Sequence, residues 1–171
     1  MIGVRLVDRL DARDREWLLH LSLSAGAGAW RRRAWVAITH TGGTIAMIGS
    51  VVVPLLLEPW PRAISWRAGF ALLVSHIIIQ AVKRIVHRER PPVAAVIACP
   101  DRFSFPSGHA TSSLAVALSY GFAFPSLAGP LVGFGMLIGW SRVVLGVHYP
   151  GDVLVGQLIA VATVLGLSGM I

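Results

Sequence analysis

The sequence is poor in charged residues and nearly free of cysteine. Only 13% of its 171 residues are charged and 55% are hydrophobic, whereas about a quarter of the residues of an average soluble domain are charged. This excess of apolar surface requires a lipid environment. Cys99 is the single cysteine, so neither an internal disulfide nor a thiolate metal cluster can form.

Acidic residues are also scarce, with eight Asp and Glu against fifteen Lys and Arg, and the formal net charge is +7. This balance favours an anionic partner such as lipid headgroups or an anionic substrate. We expect no nucleic-acid partner, because the long uncharged runs leave no water-facing platform for a duplex. The length suits one domain, and there is no internal repeat or low-complexity linker.

Residues 1–30 are predicted to form an amphipathic helix. Apolar residues recur among alternating charges between positions 5 and 24, and they are Leu6, Leu10, Trp17, Leu18 and Leu21. Such a stripe fits a helix lying in the membrane interface, or equally a solvated helix packed on the rest of the protein. The segment is too charged to contain the apolar core of a cleavable secretory signal.

Residues 31–171 are predicted to form a single membrane domain. The apolar stretches are 34–57, 63–82, two helices within 110–140 joined by a hairpin at Pro125, Gly129 and Pro130, and 153–171. About 20 apolar residues suffice to span a bilayer. Because the stretches are continuous, helices are favoured over a barrel of alternating strands. The prediction is an all-α polytopic membrane bundle of about five transmembrane helices.

Polar residues gather at four ends of the predicted spans. They are Lys83 and Arg90 after the second span, Ser107 and His109 before the third, Ser141 and Arg142 after the fourth, and His148 and Asp152 before the fifth. Successive ends are joined by a loop or a full hairpin, so all four lie on one face of the membrane. Ionisable residues at membrane depth mark functional sites. This mostly cationic group suits an anion such as phosphate.

The spacing within the first two groups supports anion binding. Lys83 and Arg90 are about two helical turns apart and project from one face, although a basic helix end held at the headgroups would look the same. Ser107 is a suitable N-cap, Gly108 permits close approach of the backbone, and the helix start favours an anion. His109 is placed to donate a proton, although a hydrogen-bonded structural histidine also fits.

The last group suggests a nucleophile with an orienting carboxylate. Pro150 fits the first position of a helix, which leaves His148 before the helix and Asp152 in its first turn. Asp152 can then accept a hydrogen bond from one imidazole nitrogen, leaving the other free to attack phosphorus. The alternative is a structural hydrogen bond between the two residues.

The three blocks resemble the tripartite motif of the type 2 phosphatidic acid phosphatase superfamily, over residues 35–171. They are Lys83-(six residues)-Arg90-Pro91, Pro106-Ser107-Gly108-His109, and Ser141-Arg142-(five residues)-His148-(three residues)-Asp152. That superfamily includes bacterial undecaprenyl-diphosphate phosphatases and soluble vanadium haloperoxidases. The resemblance implies that His148 forms a phosphohistidine, Asp152 orients it and His109 is the general acid. It also implies that Lys83, Arg90, Arg142, Ser107 and the Gly108 N–H hold the phosphoryl oxygens.

The resulting expectation is a lipid phosphatase of the bacterial inner membrane that uses no metal or other cofactor and acts on a polyprenyl-linked phosphate. Phosphatidylglycerol phosphate and phosphatidate are alternative substrates, and a non-catalytic lipid-binding protein or a vanadate-dependent oxidase is an alternative function. The positive-inside rule favours a cytoplasmic catalytic face. A carboxylate near His109 is expected to raise the pKa of that histidine so that it can begin the reaction protonated.

Overall fold

The protein folds into seven helices, and no strand occurs in the residues that the structure describes. The computed structural model describes residues 2–24, 26–93, 95–99 and 101–168, with side chains from residue 11 onward. The helices are α1 (Ile2–Leu21), α2 (Ala29–Thr41), α3 (Thr44–Leu55), α4 (Arg62–Val86), α5 (Gly108–Ala123), α6 (Pro125–Val144) and α7 (Pro150–Ser168). The predicted all-α class is confirmed.

Three helices, α4, α6 and α7, are each long and apolar enough to cross a membrane, and α2 with α3 qualifies as a bent pair. Helix α5 has 16 residues, or about 24 Å at 1.5 Å per residue, which is shorter than a hydrocarbon core of about 30 Å. It packs against α4, α6 and α7 and forms the centre of the bundle. The protein is an integral-membrane helical bundle, and the count of five spans stays a prediction.

The first predicted span, 34–57, is not one continuous helix. Helices α2 and α3 meet at an angle of 49°, and Gly42 and Gly43 lie between them. A side chain at Gly42 would collide with Ile138 of α6, and its Cβ would also lie 3.6 Å from the His109 ring. The glycine pair therefore interrupts the helix at the point where the backbone packs closely against α5 and α6.

The hairpin between the third and fourth predicted spans is tighter than expected. Helix α5 ends at Ala123 and α6 begins at Pro125, the first helical position that proline favours. Gly129 and Pro130 were predicted to belong to the turn, but they lie inside α6. A Cβ on Gly121 would lie 3.2 Å from the Ala128 backbone. Because α5 and α6 are already in close contact there, no room remains for a longer loop.

Helix α1 is joined to the bundle near its C-terminal end. Leu18 is 1% exposed and packs in a core cluster with Val143, Tyr149 and Val153. The Leu23 N–H donates to the Val144 carbonyl at 2.8 Å, whereas Trp17 and Leu19 point outward. The amphipathic helix therefore packs on the rest of the protein through Leu18, and its placement in the membrane interface stays a prediction.

Candidate active site

The ends of α4, α5, α6 and α7 meet at one end of the bundle. The Ser107 N–H donates to the Asp152 carbonyl at 3.0 Å, which joins the start of α5 to α7. The His148 N–H donates to the Arg142 carbonyl at 3.2 Å, which joins the start of α7 to the end of α6. Arg90 Nη1 lies 3.3 Å from His148 Nε2. The structure thus brings together side chains from all the predicted blocks.

His148 lies in the short connection between α6 and α7. Gly146 has a φ of 73°, a left-handed conformation that glycine adopts without strain, and it returns the chain so that His148 is only 2% exposed. Burial lowers the pKa of His148 to about 4; Arg142 and Arg90 add to this decrease and Asp152 opposes it. The imidazole is therefore neutral at neutral pH, as a nitrogen nucleophile must be.

The two ring nitrogens of His148 face different groups. Nδ1 lies 3.5 Å from Asp152 Oδ2, a loose contact of the kind that often tightens only when substrate binds. Nε2 faces the Arg90 guanidinium, which can only donate. We assign the proton to Nδ1 and the lone pair to Nε2, because Nδ1 faces the acceptor Asp152 and Nε2 faces the donor Arg90. The lone pair then points to the cationic side of the site.

Asp152 is fully buried in the first turn of α7. Its Oδ2 accepts a hydrogen bond from the Tyr149 N–H at 2.9 Å, and its Oδ1 accepts one from Arg88 Nη1 at 2.7 Å. The first of these bonds resembles the reciprocal half of a helix capping box. Each carboxylate oxygen thus accepts a hydrogen bond from a group other than His148. These bonds fix the orientation of Asp152 toward the imidazole.

The cationic side of the site contains Lys83, Arg90 and Arg142. Helix α4 ends at Val86, so Arg90 lies in the loop that follows, and the prediction that Lys83 and Arg90 project from one helix face is wrong. Arg90 donates to the backbone carbonyls of Asp101 and Val147 at 2.7 and 2.8 Å. The cations Lys83 and Arg142 are both buried. Lys83 is paired with the Asp101 carboxylate, whereas the side-chain partners of Arg142 among the described residues are neutral. A buried cation without a paired anion is costly, so Arg142 in particular is suited to bind a phosphoryl anion.

Arg142 is held by two side chains that the sequence did not single out. It donates from Nη1 to Thr39 Oγ1 at 2.8 Å and from Nη2 to Cys99 Sγ at 3.3 Å. Within the described part of the chain, Arg142 Nε has no hydrogen-bond partner. Because hydroxyl and thiol are neutral acceptors, the charge of the guanidinium remains available to an anion.

Asp101 is a further residue that the sequence did not identify as part of the site. Its Oδ2 accepts a hydrogen bond from Lys83 Nζ at 2.7 Å, and its side chain is 56% exposed. The pKa of Asp101 is lowered chiefly by the hydrogen bond from Lys83, with Arg90 and His148 contributing and burial opposing. A carboxylate of the loop between α4 and α5 therefore lies beside the cations that a phosphate would contact.

Ser107 and Gly108 begin α5 at the same place. Ser107 occupies the N-cap position, as predicted, although its hydroxyl makes no capping hydrogen bond. The hydroxyl is buried and unpartnered among the described residues, and the backbone N–H of Ser107 donates to the Asp152 carbonyl. A free hydroxyl at a helix start, followed by Gly108, can donate to a phosphoryl oxygen.

His109 lies in the first turn of α5, beside the bend between α2 and α3. Among the described residues, the groups that interact electrostatically with it are Arg142, His148, His40 and Arg90. None of them is a carboxylate, so the expected acidic neighbour of His109 is not found. A phosphate bound at this helix start would supply the negative charge that His109 lacks among these neighbours.

Metal ligation has no support from the arrangement of side chains. In residues 11–24, 26–93, 95–99 and 101–168, no group of three or more His, Cys, Asp or Glu residues is placed to hold a metal ion. The positive charge at the site comes instead from Lys83, Arg90 and Arg142. These side chains can supply the charge that a divalent ion provides in many phosphoryl-transfer enzymes.

Comparison with known proteins identifies the family of this bundle. A sequence profile of the PAP2 superfamily matches residues 64–171. Decaprenylphosphoryl-5-phosphoribose phosphatase of Mycobacterium tuberculosis is 41% identical over 115 residues, which are 66% of this chain and 61% of that protein. Undecaprenyl-diphosphatase BcrC of Bacillus subtilis is 37% identical over 98 residues, 55% of this chain and 51% of that protein. This chain therefore spans only about half to three fifths of the length of these curated relatives.

The fold is also found in a solved structure. The crystal structure of a transmembrane PAP2 type phosphatidylglycerolphosphate phosphatase from Bacillus subtilis superposes with a TM-score of 0.79 at 23% identity, covering 95% of this chain and 88% of that one. Profile, relatives and fold agree, and the chain belongs to the PAP2 superfamily.

Proposed function

We propose that this protein is an integral-membrane phosphatase that hydrolyses a lipid-linked phosphomonoester or diphosphate through a phosphohistidine on His148. The observation that carries the proposal is a buried imidazole whose Nε2 lies 3.3 Å from Arg90, beside a cationic group in which Arg90 and Arg142 donate to neutral acceptors. A neutral nucleophile and an anion site are thus adjacent, which is what attack on phosphorus requires.

In the first step, Lys83, Arg90 and Arg142 hold the phosphoryl oxygens together with the Ser107 hydroxyl and the Gly108 N–H. Nε2 attacks phosphorus, and the bond between phosphorus and the leaving oxygen breaks with its electron pair. His109 protonates that oxygen, which belongs to a lipid alcohol or a lipid phosphate. Asp152 stabilises the positive charge on the ring through Nδ1–H, as the carboxylate does in a hydrolase triad.

In the second step, water hydrolyses the phosphohistidine. His109 has lost its proton and now accepts one from water, by the role reversal of a catalytic acid. The oxygen of water bonds to phosphorus, the P–N bond breaks, and neutral His148 is regenerated with release of inorganic phosphate. Because no carboxylate contacts His109, the substrate phosphate is the group that stabilises its initial protonated form.

A polyprenyl-linked phosphate is the substrate class that we favour. The two relatives named above carry decaprenyl and undecaprenyl substrates in their names, and both matches cover more than half of this chain. Phosphatidylglycerol phosphate and phosphatidate are the alternatives that a substrate panel separates. A soluble oxidase is disfavoured because α4, α6 and α7 can each cross a membrane.

We further propose that the catalytic end faces the cytoplasm of a bacterial plasma membrane. Helix α1, with Arg13 and Arg15, is attached to this end of the bundle, and Arg31 to Arg33 follow it closely. Such basic clusters favour the cytoplasmic side. In a Cys99→Ser background, a cysteine at Arg102 should react with an impermeant thiol reagent only after the cells are opened. A cysteine at Pro59, beyond α3, should react in intact cells, and the reverse pattern would overturn this orientation.

The function is tested by phosphate release from a panel of lipid phosphates in detergent. Wild-type protein should release phosphate in EDTA, vanadate should inhibit it, and His148→Ala should lose about 10⁴-fold or more of the activity, as removal of a nucleophile does elsewhere. His20→Ala, an exposed histidine of α1, is the matched control and should be unchanged. Retained turnover in His148→Ala, or a strict need for Mg²⁺, would reject the proposal.

A further inference from the structure

Arg88 lies behind the catalytic pair, on the side of His148 away from the phosphate site. Its Nη1 donates to Asp152 Oδ1 at 2.7 Å, and its Nη2 lies 2.7 Å from Asp11 Oδ1 and 2.8 Å from Asp14 Oδ2. The guanidinium also stacks 4.1 Å from the centroid of the Tyr149 ring. Arg88 is thus held on both ends of its guanidinium, and its side chain is only 17% exposed.

Carboxylates of three residues, Asp11, Asp14 and Asp152, surround the Arg88 guanidinium. A second cation, Arg15, lies nearby and bonds Tyr149. Burial acts to lower the pKa of Arg88, but the charge of Asp152 and the hydrogen bonds to Asp14 and Asp152 outweigh it and raise that pKa. Arg88 therefore stays charged and holds Asp152 in place, and the carboxylate of Asp152 can stabilise a positive imidazole ring.

We propose that Arg88 is a positioning residue for the His148–Asp152 pair, and that Asp11 and Asp14 make helix α1 part of the catalytic apparatus. This inference rests on the proposed function. Helix α1 lies outside the region that matches the family profile, which begins at residue 64. Arg88 lies inside that region, between the motif residues Lys83 and Arg90, but is not itself one of the motif residues. Arg88 acts through Asp152, which it holds at Oδ1 while Oδ2 faces the imidazole.

The start of α7 is fixed to α1 by a second contact. Asp14 Oδ1 accepts a hydrogen bond from the Gly151 N–H at 2.8 Å, one residue before Asp152. Helix α1 is also attached to the bundle without these ions, because Leu18 is buried in the core and Leu23, just after the helix, bonds Val144. Burying an ionic cluster carries a desolvation cost, and a role in orienting Asp152 accounts for it.

The test compares kcat and KM in Arg88→Ala, Arg88→Lys, and the double variant Asp11→Asn/Asp14→Asn. Arg88→Ala should lower kcat about 10–100-fold, the loss seen when the outer partners of metal-bound histidines are removed, with KM within about threefold. Arg88→Lys should recover part of kcat because it restores one donor and the charge. The double variant should lower kcat about 5–10-fold. Arg102→Ala, on an exposed side chain of the same loop, is the matched control.

A double-mutant cycle separates positioning from mere support of the fold. In an Asp152→Asn background, adding Arg88→Ala should cost less than about threefold, because the residue through which Arg88 acts is already changed. Full additivity of the two losses, or an unchanged kcat in Arg88→Ala, would overturn the inference. Should Arg88→Ala not fold as judged by gel filtration in detergent, Arg88→Lys and the double aspartate variant decide the question by the same criteria.

Failure of the proposed function gives a different result. A wild-type protein that releases no phosphate from any lipid of the panel would remove the function itself. Active wild-type protein with an inactive His148→Ala variant and a fully active Arg88→Ala variant would leave the function intact and reject only the role of Arg88.

Discussion

Arg88 and Arg90 are two residues apart in the same loop, yet they lie on opposite sides of His148. On the Nδ1 side, Arg88 is bonded to carboxylates of Asp11, Asp14 and Asp152. On the Nε2 side, the hydrogen bonds of Arg90 to the protein backbone go to carbonyl oxygens. The same residue type therefore meets full negative charges on one side and neutral dipoles on the other.

This difference indicates which arginine is able to bind substrate. A guanidinium whose donors already meet carboxylates gains little from a phosphate, because the ion pairs that it would exchange are of similar strength. A guanidinium bonded only to neutral carbonyl oxygens gains an ion pair when a phosphate binds to it. The motif spacing already singled out Arg90 in the sequence, whereas the role of Arg88 follows only from its partners in the structure.

The largest expected effect on the Nε2 side is that of Arg142. Arg142→Ala should lower kcat/KM about 10²–10³-fold, the loss that follows removal of one donor to a developing oxyanion. Arg142→Lys should recover only part of this, because lysine lacks the planar pair of donors. The measurement is steady-state phosphate release, with exposed Arg84→Ala as the control. An Arg142→Ala variant that keeps more than a tenth of wild-type kcat/KM would contradict this placement of substrate.

Vanadate inhibition compares the two loop arginines directly. Arg90→Ala should raise the inhibition constant for vanadate about 10–100-fold, since a hydrogen bond between charged groups contributes about 1.5–3 kcal/mol. Arg88→Ala should change it less than about threefold, because Arg88 faces Asp152 and not the anion. Equal increases of the vanadate inhibition constant in Arg88→Ala and Arg90→Ala would show that the anion is not bound on the Arg90 side of His148 alone.

The pH dependence of kcat/KM reports on the protonation of His148. Because burial lowers the pKa of His148 to about 4, the free imidazole should remain neutral down to about that pH. Below it, protonation removes the Nε2 lone pair, and kcat/KM should fall about tenfold per pH unit. The profile is measured after correction for ionisation of the substrate phosphate, whose second pKa is near 6. An enzyme-derived acid limb near 6.5 would show that His148 is not held in this buried, cationic setting.

The smallest expected effect concerns Asp101. Asp101→Asn removes the carboxylate that bonds Lys83, so Lys83 should bind phosphate without competition and KM should fall about 2–5-fold. The change is modest because Asp101 is more than half exposed and exposed ion pairs are weak. Glu89→Gln, in an exposed pair with Arg102, is the control. A KM that rises in Asp101→Asn would mean that Asp101 supports Lys83 and does not compete with substrate.

Sequence reasoning succeeded where the signal is local. Runs of apolar residues predicted an all-α membrane bundle, and the motif positions at helix ends come together in the structure. It failed where packing decides the local conformation. The break at Gly42–Gly43 follows from close contact with Ile138, and α6 continues through Pro130 because α5 already lies against it.

Composition and hydropathy were enough to establish the membrane environment, the helical class and the four helix ends at which the polar residues gather. These properties follow from short-range regularities of the chain. The partners of the site residues were decided only by the tertiary structure, because they are distant in sequence. Arg88 and Asp152 are 64 residues apart, Arg88 and Asp11 are 77 apart, and Arg142 and Thr39 are 103 apart. Such pairings depend on how the helices pack, which no local pattern of residues encodes.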